Sequence, residues 1–127
     1  MKKLTIITAL LAGALFSSCC KEGLNGKATV TATTRHHSAI ITGSTVYVKF
    51  NAKDAPGDIS EYDASFTAGT SDGSVLIENL KCGDYYFFAT GYDPAIAKPV
   101  QGGVPFSIAH ADRKDDLVIE IPVTEAH

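Results

Sequence analysis

The chain has 127 residues, 11 of them basic and 14 acidic, for a net charge of −3 with histidine neutral. That length suits one domain with a single core. The acidic balance argues against nucleic acid as a partner, because phosphates call for clustered Lys and Arg.

In chain order, Lys2 and Lys3 precede an apolar run from Leu4 to Phe16, and Ser17, Ser18, Cys19 and Cys20 follow. A charged start, a short apolar segment and small residues at a cut site describe a secretory signal over residues 1–18. The run is too short to cross ~30 Å of hydrocarbon as a helix, and nothing amphipathic in it suggests a core helix. The small pair followed by Cys19 resembles the lipobox of bacterial lipoproteins, although Phe16 stands where that pattern wants Leu. The resemblance implies a diacylglycerol on the Cys19 thiol and a mature chain that begins there. Two or three acyl chains would hold such a domain stably on a membrane. An ordinary cleaved signal is the plainer alternative. Lys21 and Glu22, at the second and third positions after Cys19, resemble the surface-export signal of lipoproteins from Bacteroidetes-type bacteria. That implies an outer-membrane, surface-facing location, with the periplasmic face as the alternative.

Loss of the signal removes two positive charges and takes the net from −3 to −5, which argues against electrostatic docking on anionic lipid. Residues 19–26 read as a lipid-anchored polar tether. With Cys19 acylated, Cys20 and Cys82 remain. They could pair, or Cys82 could be a small buried residue. The expectation is no bridge, because Cys20 beside an acylated residue would lie at the bilayer, away from a folded turn.

From Lys27 onward the hydrophobic period is two. Ala28, Val30 and Ala32 alternate with threonines, and Val46, Val48 and Phe50 with Tyr47, Lys49 and Asn51. Tyr62, Ala64 and Phe66 form a third run, Val75, Ile77 and Leu80 a fourth, and Tyr85 to Thr90 a fifth. Val104, Phe106 and Ile108 make the sixth, and Leu117 to Val123 the last. Gly, Pro and Asp clusters separate them, so the spacing predicts a seven-stranded antiparallel β-sandwich over residues 27–124. His110 to Asp115 reads as a loop.

The run Asp72 to Tyr85 resembles the strand–turn–strand signature of prealbumin-like domains, including carboxypeptidase regulatory-like and collagen-adhesin B-type modules. It carries an apolar alternation, Leu80, Gly83 three residues on and Tyr85 two after that. The resemblance implies that Leu80 plugs one end of the sandwich, Gly83 allows a sharp turn, and Tyr85 enters the core with its hydroxyl returned to backbone. Gly102 to Phe106 resembles an edge strand of the same modules. Some relatives carry an internal Lys–Asn cross-link. The final strand lacks Asn, and Lys49 and Glu78 fall on the polar phase, so that bond is not expected here. The hydrolases of the transthyretin-like family end in Tyr-Arg-Gly-Ser, whereas this chain ends Val123-Thr124-Glu125-Ala126-His127.

No catalytic constellation can be picked out. His36, His37 and His110 are the candidates if a metal is bound, but adjacent residues of a strand point to opposite faces, and solvated loop histidines are the expected state. No cofactor is expected. Tyr86, Phe88 and Tyr92 share the strand face opposite Tyr85 and Phe87, so they need a covering loop or else form a surface for a protein or glycan. The leading expectation is a non-catalytic surface lipoprotein that binds or assembles through this sheet face. A small hydrolase or metal-dependent enzyme using the histidines, and a purely structural stalk, are the alternatives.

Overall fold

The computed structural model describes residues 20–68 and 73–126. The signal segment and Cys19 lie outside the described residues. The elements are β1 (Leu24–His36), β2 (Ala39–Ile40), β3 (Thr45–Phe50), β4 (Ala64–Thr67), β5 (Ser74–Leu80), β6 (Gly83–Asp93), β7 (Lys98–Ile108), β8 (Asp116–Pro122) and β9 (Thr124–Glu125). Two short 3₁₀ turns, Ile59–Glu61 and His110–Asp112, interrupt the connections. The seven predicted runs correspond to the seven longer strands, and the fold is a two-sheet β-sandwich.

One sheet has β1 at its centre, with β5 antiparallel along one edge and β8 along the other. The second runs β4-β3-β6-β7-β9, every pair antiparallel. One pairing departs from the antiparallel expectation. β8 runs parallel to β1, in register from Thr29–Asp116 to Arg35–Pro122. Alternation in sequence reads the same in either direction, so it fixes which residues face inward without fixing strand sense.

The core lies between the sheets. Ala28, Val30, Ala32, Val75, Ile77, Leu80 and Ile121 face Val46, Val48, Tyr85, Phe87, Ala89, Val100 and Ile108, all of them buried. Each fully buried Val, Leu, Ile or Phe contributes ~1.5–3 kcal/mol by leaving water. Phe50 meets Tyr85 edge to face at 5.8 Å, and Tyr85 stacks with Phe87 at 6.1 Å.

The strand–turn–strand between β5 and β6 takes the expected form. Leu80 is buried. Gly83 has φ +134°, and a Cβ there would lie 2.5 Å from the Glu22 carboxylate, so only glycine fits. The Tyr85 hydroxyl donates to Lys81 O at 2.6 Å and accepts from Gly23 N at 3.1 Å. Burial raises this phenol above its ordinary pKa, against the lowering effect of its backbone partners.

Cys20 and Cys82 form a disulfide, with Cα atoms 5.0 Å apart. This corrects the expectation of no bridge, and the reason is where the N-terminal residues go. Residues 20–24 lie against the β5–β6 turn: Asp84 N donates to Glu22 at 2.8 Å, Lys81 N to Gly23 O at 2.9 Å, and Leu24 pairs with Leu80. The backbone contacts bring the two thiols together, and the sequence separation of 62 then works in favour of the bridge by restricting the unfolded chain.

Candidate functional site

Three places in the sandwich carry polar or aromatic chemistry. The first is the outer face of the second sheet. Tyr86 and Phe88 point away from the core and are half-buried, while Tyr92 is 53% exposed. The covering segment is the connection from β3 to β4. Asn51, at φ +54°, turns the chain out of β3, and its N–H donates to Asp84 O at 2.8 Å. Asp58 caps the following 3₁₀ turn. Asp63 closes the loop by accepting from Phe50 N at 2.7 Å, with Lys49 Nζ 3.6 Å away.

This path lays Tyr62 on the sheet instead of carrying it into β4. Tyr62 stacks on Phe88 at 5.9 Å and lies 5.8 Å from Tyr47. Burial pushes the Tyr62 phenol up to about 12, with Tyr86 adding to the rise. Gly103 on β7 makes room for Tyr86, whose ring would lie 2.7 Å from a Cβ placed there. Between loop and sheet a cleft of about 250 Å³ stays open, lined by Pro56, Asp58, Ile59, Tyr62, Phe88 and Gln101 among others. Tyr92 stands four residues beyond Phe88, about 13 Å along the strand at roughly 3.3 Å per residue. The loop thus brings Tyr86 and Phe88 into one aromatic group with Tyr47 and Tyr62, and leaves Tyr92 apart.

The second place is the far end of β1. His36 and Asp93 are 7% and 5% exposed, with Nδ1 and Oδ2 2.7 Å apart. Asp93 also accepts from Ala95 N at 3.0 Å, and His36, Ala95 and His37 hold its carboxyl below the usual range. His37 has φ +57° and its ring centroid lies 4.4 Å from that of His36. Thr34 and Ser44, both fully buried, share a hydrogen bond of 3.0 Å. A carboxylate–imidazole pair orients a base for catalysis when the second ring nitrogen faces a nucleophile. Here the buried Ser44 hydroxyl is engaged with Thr34.

His110 sits at the opposite end, lining a cleft beside Lys27. Lys27 is nine residues along β1 from His36, about 30 Å at roughly 3.3 Å per residue. The three histidines are therefore not gathered. Among the described residues no group of three His, Cys, Asp or Glu side chains is arranged to hold a metal ion.

The third place is that cleft itself, at the end where Cys20 joins Cys82. It has a volume of about 440 Å³ and is lined by Lys21, Lys27, Lys81, Arg113 and Lys114 besides His110. Sequence reasoning missed both the His36–Asp93 pair and this cationic group. Asp93 lies 57 residues from its partner, and the five cations are scattered from position 21 to 114. Only the pairing of β1 with β5 and β8 brings them together.

No family model matches the chain, and no curated protein is similar to it. A solved structure of similar fold is the major pilin subunit of Bacillus cereus, 14% identical, with a TM-score of 0.47. The alignment covers 76% of this chain and 30% of the pilin chain.

Proposed function

We propose that this chain is a non-catalytic module of the bacterial outer surface, held by lipid on Cys19, that binds a glycan through the outer face of its five-stranded sheet. The observation that carries the reading is the cleft where Tyr62 and Phe88 meet Asp58 and Gln101 under the β3–β4 loop. Ring faces supply flat apolar area for a sugar, while a carboxylate and an amide answer its hydroxyls. A protein partner of ordinary size needs about 800 Å² per side, and the exposed large apolar side chains, such as Leu76, Tyr92 and Val118, are spread over both sheets instead of forming one patch.

The test is a glycan array probed with the purified chain and with Gln101→Ala and Asp58→Ala. Retention of a defined saccharide class by the parent, lost in both variants, supports the reading. Absence of any retained glycan, or retention unchanged in both variants, removes it. Capture of a protein through Tyr92 would instead favour an assembly role.

A further inference from the structure

The chain's positive charge is not spread evenly. Outside the signal segment there are nine basic side chains. Of the four away from the Cys82 end, Arg35 pairs with Glu120, Lys49 with Asp63 and Lys98 with Glu125. The other five, Lys21, Lys27, Lys81, Arg113 and Lys114, line the 440 Å³ cleft. Among the described residues none of these five takes part in an ion pair, and no carboxylate lines the cleft. A chain with a negative total therefore carries one cleft whose charged lining is all basic, with Glu22, Asp84, Asp112 and Asp115 at the same end but outside that lining.

That end is also defined by covalent structure. Cys82 lines the cleft and is bonded to Cys20. Consecutive Cα atoms are ~3.8 Å apart, so a group carried on Cys19 begins one residue from the rim. Arg113 is already oriented, its Nη1 donating to His110 O at 2.8 Å. A guanidinium so held keeps donors free for an oxyanion, and lysine ammoniums supply adaptable point charges around it.

We propose that this cleft binds the phosphate groups of anionic lipid headgroups in the membrane that holds the chain, and so fixes how the sandwich stands on it. The inference rests on the reading of Cys19 as the acylated residue. It concerns the end of the molecule away from the His36–Asp93 pair, and it is independent of the glycan cleft. The acidic total does not oppose it, because fields at a membrane surface act within about a Debye length. At that range what counts is which groups face the headgroups, and the five cations line the cleft whereas Glu22, Asp112 and Asp115 at the same end do not.

The experiment uses the lipidated full chain taken from membranes and reconstituted into vesicles of phosphatidylcholine, with or without phosphatidylglycerol. Hydrogen exchange is read over residues 24–27, 81–84 and 109–115. Exchange over 109–115 should be slower in the anionic vesicles than in the neutral ones, as cations drawn to the anionic surface hold that loop against it. The slowing should disappear in high salt, and in the triple variant Lys81→Gln, Arg113→Gln, Lys114→Gln. Salt reversal on the parent chain keeps the test valid if that variant folds poorly. Equal exchange in both vesicle types overturns the proposal. So does equal slowing by soluble glycerol phosphate in neutral detergent, which would make the site one for free phosphate. A chain that does not enter vesicles at all overturns the anchor, and the proposal with it.

Discussion

The two ends of the sandwich are closed by different chemistry. At the Cys82 end, a disulfide, the Tyr85 hydroxyl and the Glu22 carboxylate tie the N-terminal residues to the β5–β6 turn. At the far end, a carboxylate–imidazole pair and a hydroxyl pair are buried in its place. The first closure answers to redox conditions and the second to pH. Oxidising compartments keep the first formed. The second depends on full satisfaction of its buried polar atoms, and among the described residues no buried side-chain polar atom is left without a partner.

The sharpest way to separate the ends is to break one at a time. Cys20→Ser with Cys82→Ser should cost about 4 kcal/mol, given a closed loop of some 62 residues, and lower the melting temperature steeply. The same loss should follow from reductant on the parent chain, with the His36–Asp93 end keeping its hydrogen-exchange protection until global unfolding. A reduced chain as stable as the oxidised one would mean that the backbone contacts alone close that end.

Tyr85→Phe should cost about 1–3 kcal/mol, since it leaves Gly23 N and Lys81 O without their partner. Denaturant titration gives the value, and faster exchange at Gly23 gives the location. At the other end, Asp93→Asn should lower the melting temperature at pH 7 without altering the response to reductant. The sign follows from the depressed Asp93 pKa. The ionised carboxylate is favoured in the folded state, so its contribution is complete above the ordinary value of 3.8 and is lost as pH falls through the folded value. The gap between parent and variant should therefore close in acid. A gap that widened in acid would contradict the His36 partnership.

The smallest effect concerns the aromatic face between the ends. The raised Tyr62 phenol, at about 12, favours the neutral form in the folded state. Its contribution is complete below 10 and lost as pH rises through the folded value. Near-ultraviolet absorbance should show two late-titrating tyrosines, Tyr62 and the buried Tyr85, with the Tyr62 step at about 12. Tyr86→Phe should bring that step to lower pH, since Tyr86 contributes to the rise.

What could be read from the chain beforehand was set by local rules. Alternation located the seven long strands, and the resemblance carried by Leu80, Gly83 and Tyr85 located a turn that the Tyr85 hydroxyl closes locally on Lys81 O. The parallel sense of β8, the disulfide and the His36–Asp93 pair depend on which strands become neighbours. Leu117 to Val123 alternates identically whichever way it runs. Tyr62 was assigned to a strand by its parity with Ala64 and Phe66, yet the Asp63 side chain captures Phe50 N and turns the chain before β4 begins. The candidate site was legible as residues, Tyr86 and Phe88 above all, but not as a cleft, because the loop that shapes it carries no periodic signal.

The parallel match of β8 to β1 also decides where the polypeptide leaves the body. Both strands travel away from Cys20, and Val123 N donates to Arg35 O at the distal rim. A fluorophore or epitope joined after Ala126 would therefore ride on the pole opposite the Cys20–Cys82 bridge, and could report on that pole without crowding the bridged one.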